Sequence, residues 1–354
     1  MYKPLFFLGG VSLLLAACGN EEADNSPENS SDSSATAHTL AEDLNVPWSI
    51  QPHENGFFVS ERPGAIVWID ENGTVSRTEP DLSEEVAAEG EGGFLGFVLD
   101  PGFNDTNQTA YAYYTYESEN GLANRIVSLE QTDGEWAENE VLLEGIPGAS
   151  IHNGGRLEIG PDGMLYATTG DADAEDTSQD PDNLAGSILR METDGSIPED
   201  NPIKNSYVYS YGHRNPQGLA WNEEGTMYSS EHGSSAEDEI NQIQAGENYG
   251  WPEITGDEQN EEMQTPLFHS GSDTWAPSGM DVDDNGHVIV TGLRGTQLMR
   301  FNVETEEMNV IYSGEGRLRD VWIEGESLYM LTNNSDGRGN PSNNDDRLIE
   351  LTDF

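Results

Sequence analysis

Polar-Gly pairs followed by short apolar, β-rich runs recur along the chain: Asn55-Gly56-Phe57-Phe58-Val59, Asp162-Gly163-Met164-Leu165-Tyr166, Glu224-Gly225-Thr226-Met227-Tyr228 and Asn285-Gly286-His287-Val288-Ile289. Each is a hairpin signal. Weaker copies at Gln108-Thr109-Ala110-Tyr111 and Gly325-Glu326-Ser327-Leu328-Tyr329 bring the number to six, mostly about 50 to 60 residues apart, a spacing shown by blade arrays. No stretch sustains an apolar period of 3.6 residues, and 39 glycines with 17 prolines punctuate the runs, which argues against an α/β fold. The pattern predicts an all-β fold, a six-bladed β-propeller of four-stranded antiparallel sheets, over residues 38–354. A pair of large β-sandwiches fits the regular turn spacing less well. Propellers gather loops at one end of the axis, so a ligand site is expected there.

The amino-terminal segment departs from this pattern. Lys3 precedes an apolar run from Leu5 to Leu15 that closes on Leu15-Ala16-Ala17-Cys18, the order of a bacterial signal peptide ending in small residues. That run is too short for a spanning helix. Residues 1–17 therefore read as a lipoprotein signal peptide, with Cys18, the one cysteine of the chain, as the acylated residue. Residues 18–37 are rich in Asn, Glu, Ser and Asp and read as an acidic tether. The expectation is an exported protein whose only membrane contact is the lipid anchor.

Composition narrows the partners. The formal charge of −53, from 67 acidic against 14 basic residues, excludes nucleic acid and anionic surfaces as binding partners. The 7 Trp, 13 Tyr and 10 Phe supply the large apolar surface that a disordered acidic chain lacks. Without cysteine after position 18, neither disulfides nor thiolate metal sites are available to the domain.

Chemistry-bearing residues cluster in glycine-flanked loops between Ile151 and Pro252: His152-Asn153-Gly154-Gly155-Arg156-Leu157, Thr169-Gly170-Asp171, Tyr211-Gly212-His213-Arg214-Asn215-Pro216, Ser230-Glu231-His232-Gly233, Asp238-Glu239-Ile240-Asn241 and Asn248-Tyr249-Gly250-Trp251-Pro252. Such side chains at strand ends can converge on a ligand. Arg317 and Arg319 stand two apart in a strand-like run, so both are expected on one face, where they repel unless an anion lies between. With Glu91-Gly92-Gly93-Phe94-Leu95-Gly96, Trp275-Ala276-Pro277-Ser278-Gly279, Gly316-Arg317-Leu318-Arg319-Asp320 and Leu331-Thr332-Asn333-Asn334-Ser335-Asp336-Gly337-Arg338, these segments resemble the soluble aldose and glucose dehydrogenases that use pyrroloquinoline quinone (PQQ), over essentially the whole domain.

The resemblance implies a quinoprotein that oxidises an aldose at the anomeric carbon to its lactone and passes electrons to an external acceptor. It implies His152 as general base, Asp171 as the carboxylate that orients it, and Arg214 as stabiliser of charge on the quinone oxygen. Arg214, Asn215, Arg294, Arg317 and Arg319 would contact the cofactor, and arginine suits its carboxylates. Calcium, a hard cation taking oxygen ligands, would lie on the carbonyls of Gly233 and Ser234, where relatives usually have Pro second. A second calcium maps to Glu239 and Tyr249. Glu91 stands where some relatives have Gln, and its carboxylate would repel cofactor anions unless protonated or calcium-paired. The bland alternatives are a turn-capping Asp171, surface ion pairs for the arginines and a solvated Glu239. No Gly-rich strand-to-helix turn suits a nicotinamide. Two further functions fit the same propeller: a calcium-dependent lactone hydrolase, and a binding module with a decayed cofactor site.

Overall fold

The computed structural model describes residues 35–104 and 106–354. The expected signal peptide, Cys18 and most of the tether lie outside the described residues. The described chain forms six four-stranded antiparallel sheets. After β1 (Thr36–Ala41), blade 1 is β2 (Pro47–His53), β3 (Gly56–Glu61), β4 (Ala65–Asp70) and β5 (Val75–Thr78). Blade 2 is β6 (Phe94–Leu99), β7 (Thr109–Ser118), β8 (Gly121–Thr132) and β9 (Glu135–Pro147); blade 3 is β10 (Leu157–Ile159), β11 (Leu165–Thr169), β12 (Ser187–Met191) and β13 (Val208–Tyr211). Blade 4 is β14 (Pro216–Trp221), β15 (Met227–Glu231), β16 (Glu239–Ile243) and β17 (Phe268–His269); blade 5 is β18 (Pro277–Val282), β19 (Val288–Gly292), β20 (Gln297–Asn302) and β21 (Glu307–Ser313). Blade 6 is β22 (Leu318–Glu324), β23 (Ser327–Thr332) and β24 (Leu348–Thr352), completed by β1.

Ring closure joins the two ends of the described chain: Thr36 pairs with Thr352, Ala37 with Leu351 and His38 with Glu350. Thr36 and Ala37, expected in the tether, are thus strand residues, because the last sheet would otherwise leave the ladder edge of β24 unpaired. The second strand of a blade is covered on both faces, so β11, β15 and β19 are buried at every position rather than alternating. Aromatic and aliphatic side chains fill the spaces between blades, as with Phe58, Phe94, Phe97 and Trp136 in one cluster and Tyr113, Leu157 and Leu165 in another. Full burial of each such side chain contributes about 1.5–3 kcal/mol.

All six turn repeats seen in the sequence connect or enter the second strand of a blade, at Gly56, Thr109, Leu165, Met227, Val288 and Ser327. They mark one end of the propeller. The loops that lead into first strands and out of second strands lie at the other end. First strands meet their counterparts around the axis. There Asp320 Oδ2 accepts from Ile50 N–H at 2.8 Å and Arg156 NH1 at 3.0 Å, and Arg156 Nε donates to Gln217 O at 3.0 Å. Blades 1, 3, 4 and 6 are tied together by these bonds. Among the described residues no helix is long and apolar enough to cross a membrane.

Candidate functional site

The residues singled out from sequence gather at the end of the propeller opposite the repeated turns. Glu91, His152, Arg214 and Arg317 precede the inner strands β6, β10, β14 and β22, whereas Asp171, Gly233, Ser234 and Arg294 follow the second strands β11, β15 and β19.

His152 Nδ1 lies 2.7 Å from Asp171 Oδ1. Asp171 is 1% exposed and its other oxygen accepts from the indole Nε1 of Trp251 at 2.9 Å. An ionised carboxylate accepts only, so Nδ1 carries the proton and Nε2 presents its lone pair, making no hydrogen bond among the described residues. Asp171 Oδ1 also accepts from Asp173 N–H, so the expected turn-capping role and the histidine contact coexist. His152 itself has φ 55°, and a Cβ on Gly170 would stand 1.9 Å from His152 O. The backbones here approach too closely for any other residue at 170.

Glu91 resolves the expected repulsion differently from either route anticipated. Its Oε1 pairs with Arg338 NH1 at 2.7 Å and its Oε2 accepts from His152 N–H at 3.1 Å. Burial works to raise its pKa, but nearby His232, Arg338 and the His152 amide outweigh it and hold the carboxyl at about 2. At neutral pH His232 is uncharged, because burial pulls it down to about 4. Arg338 is then the partner that neutralises Glu91, with neither a proton nor calcium required.

Arg214 is held from the backbone: its N–H donates to Glu231, which also binds His213 Nδ1 at 2.9 Å. Its side chain gives NH1 to His232 O at 3.2 Å and lies 5.3 Å from the Trp251 ring centroid. Asn215 Oδ1 accepts from Gly154 N–H at 3.0 Å. Arg319 is buried and donates to Gln217 Oε1, Ser278 Oγ and Asn333 Oδ1; burial first, then Arg317, lowers its pKa to about 9. Arg317 stands just before β22 rather than within it, and a register irregularity separates Leu318 from Asp320. Both arginines reach Asn333, but Arg317 is already paired with Asp336 at 2.7 Å. Asp336 offsets part of that pair's repulsion from within the fold. Arg294 is exposed in the β19–β20 turn on the same rim.

Nine buried side-chain polar atoms lack a hydrogen-bond partner among the described residues, and four of them are Arg214 Nε, Asn215 Nδ2, His232 Nε2 and Arg319 Nε. Buried polar atoms left unpaired are costly. Their gathering at one mouth fits an anionic, acceptor-rich ligand, as a quinone carrying carboxylates is.

For calcium, the carbonyls of Gly233 and Ser234 accept no hydrogen bond among the described residues, and Asp238 Oδ1 fixes the loop through Gly233 N–H at 2.9 Å. Glu239 accepts from Gly256 N–H and Asn241 Nδ2. Burial and the neighbouring Glu231 push it up to about 8. The Tyr249 phenol is spent inside the fold, donating to Gln242 O at 2.6 Å, so only its carbonyl remains for a metal. No group of three or more His, Cys, Asp or Glu side chains among the described residues forms a metal site.

Trp251, His232 and Arg338 stand inside the sequence motifs, yet the motifs assign them no role, since indole, imidazole and guanidinium partners are set by loops distant in sequence. Arg62 lies in none of the motifs. It stands after β3 beside Asp336, Arg338 and Glu91, and its guanidinium, its pKa lowered mainly by burial, makes no hydrogen bond among the described residues.

A propeller that sets a His–Asp pair beside unpaired arginine and amide donors at one mouth defines a class of enzyme, one that works on a small molecule next to a bound anionic cofactor. The Glucose / Sorbosone dehydrogenase family matches residues 44–341, and the chain belongs to that family. It superposes with TM-score 0.83 and 37% identity on the PQQ-bound form of aldose sugar dehydrogenase from Streptomyces coelicolor, over 90% of this chain and 98% of that one. It is 28% identical to aldose sugar dehydrogenase YliI of Escherichia coli (strain K12) over 95% of this chain and 98% of the relative. Quinoprotein glucose dehydrogenase B of Acinetobacter calcoaceticus is 35% identical over 57% of this chain, but the match spans only 49% of that protein.

Proposed function

We propose that this chain oxidises an aldose at its anomeric carbon to the lactone, with PQQ and calcium as cofactors and an external acceptor taking the electrons. The observation that carries this reading is the His152–Asp171–Trp251 chain, 2.7 and 2.9 Å at its two links, beside the three unpaired buried donors Arg214 Nε, Asn215 Nδ2 and Arg319 Nε. When bound, the quinone supplies the hydride acceptor and calcium the Lewis acid.

The residues divide the remaining work. His152 Nε2 takes the proton of the anomeric hydroxyl as hydride leaves the same carbon, and Asp171 stabilises the imidazolium so formed. Arg214, Asn215 and Arg319 hold and orient the cofactor, joined by Arg62, Arg317 and Arg294 at the rim. Arg214, unpaired at Nε among the described residues, would supply positive charge to a bound quinone. Gly233 and Ser234 offer carbonyls to calcium. A lactone hydrolase would leave the unpaired donors without an acceptor, and a binding module gives His152–Asp171 no task. Export and acylation of Cys18 rest on the sequence of residues 1–18, and metabolic labelling with a fatty acid tests them.

The deciding experiment adds calcium and PQQ to the purified apoprotein and follows dye reduction with a panel of aldoses. Reduction that needs quinone, calcium and sugar together is expected. Tight quinone binding without oxidation of any aldose would put the substrate class wrong, and no quinone binding would sink the reading.

A further inference from the structure

At the end of the propeller away from the catalytic mouth, the tip of the β2–β3 hairpin, His53 and Glu54, separates two clefts. They differ in chemistry. Between blades 6 and 1, Phe57, Trp322 and Tyr329 are surrounded by Asp70, Glu71, Glu324 and Glu350. Between blades 1 and 2, a cleft of about 350 Å³ is walled by Trp68, Phe103 and Trp136 with Ser76, Gln108 and Gln131, and among the described residues Glu54 is its one acidic lining residue. In a chain carrying 67 acidic residues, that second cleft is set apart by neutrality.

We propose that the cleft between blades 1 and 2 is a second carbohydrate site, which takes a neutral pyranose ring, free or at the end of a glycan. Its volume falls within the range of about 300–1,000 Å³ typical of small-molecule pockets. Trp136, buried, forms the floor, with Phe103 stacked on it at 6.0 Å and 24° and Phe58 at right angles to it at 5.7 Å and 82°. Trp68 is tilted 49° against Phe58 at 4.7 Å and remains half-buried, so one ring wall faces the space. Aromatic faces are electron-rich, and the C–H groups of a pyranose face, polarised by their oxygens, are their natural complement. The sugar's hydroxyls each need a donor and an acceptor, which a primary amide supplies from one group. Gln108 and Gln131 are held side by side by the backbone bond from Gln131 N–H to Gln108 O at 2.9 Å, and neither side-chain amide is engaged elsewhere among the described residues. A cation would choose the acidic neighbour cleft, and an anion would meet no lysine or arginine among the described lining residues.

The test uses the full chain without cofactor, titrated with methyl α-D-glucopyranoside, methyl α-D-mannopyranoside, methyl β-D-galactopyranoside, maltohexaose and cellohexaose. Heat and tryptophan fluorescence are the readouts, and the methyl group blocks anomeric oxidation. Saturable binding with Kd of about 0.1–10 mM is expected. Gln131→Ala and Trp68→Ala should each weaken it at least about tenfold, while His152→Ala leaves it intact. Should Trp68→Ala fail to fold, the partly exposed Gln131 and Gln108 decide the matter. Binding of the hexasaccharides alone identifies a glycan end as the ligand, and binding of the monosaccharides identifies a free sugar. No binding below about 50 mM for any probe, or binding indifferent to both glutamine variants, overturns the proposal. If Gln131-dependent binding persists in a protein that oxidises no aldose, the catalytic reading fails and the site stands.

Discussion

The Trp251 indole N–H donates to Asp171 Oδ2 at 2.9 Å while the Arg214 guanidinium lies 5.3 Å from the centre of the same ring. One side chain therefore braces both the carboxylate behind His152 and the arginine assigned to the quinone oxygen. Trp251→Phe keeps a ring under Arg214 and deletes the N–H, a bond to a charged group worth about 1.5–3 kcal/mol. kcat should fall by roughly one order of magnitude with quinone affinity nearly unchanged, whereas Trp251→Ala should reduce both. Steady-state kinetics and a quinone titration of the two variants check this.

His152 and Arg319 should fail in different ways. His152→Ala removes the proton acceptor and should abolish turnover while quinone still binds. Arg319→Met strips a buried guanidinium that contacts Gln217, Ser278 and Asn333, so quinone binding should weaken first, by about a hundredfold or more. Equal loss of quinone affinity in both variants would refute the division of labour.

Glu91 and Arg338 should behave as a coupled pair. Arg338→Ala leaves an ionised carboxylate facing the anionic cofactor, and quinone affinity should drop by about tenfold; adding Glu91→Gln should restore most of it, a coupling of about 1 kcal/mol. A double-mutant cycle on quinone Kd measures that coupling. Additive effects would mean that Glu91 does not face the cofactor.

Stability should decline as pH rises from about 4.5 to 8. Burial, aided by Asp320 and Asp281 and opposed by Arg156, raises Glu158 to about 8 at the far mouth of the axis, and burial raises Asp281 to about 6. The folded state then holds these protons more tightly than the unfolded chain. The resulting stabilisation is complete below the ordinary carboxyl range and is lost as pH climbs through the folded values. The Glu158 side chain is partly open to the cavity, which limits the effect to a few kcal/mol, each tenfold gain in proton affinity being worth about 1.4 kcal/mol. Glu158→Gln should flatten the denaturation midpoint across that window in urea titrations.

The six-bladed ring was legible in the order of residues, and so was the set of loops from which the candidate site is built. The turn signals are local: four of the six turn on a positive-φ glycine, Gly163, Gly225, Gly286 and Gly325, and all six are followed directly by a strand, so they could be read at Gly56, Thr109, Leu165, Met227, Val288 and Ser327. The candidate chemistry was legible only as residue types in loops. Which loops meet was not, because ring closure brings together residues far apart in the chain. Arg338 reaches Glu91 across 247 positions, and Asp320 reaches Ile50 across 270. Closure also turned Thr36 and Ala37 from tether into strand. The state of each group followed the same rule: the Arg317 charge is met by Asp336, that of Glu91 by Arg338, and the Glu239 carboxyl is pushed up by burial and Glu231. Spacing fixes neither partners nor dielectric. Both arise only when six separate hairpins are packed around one axis.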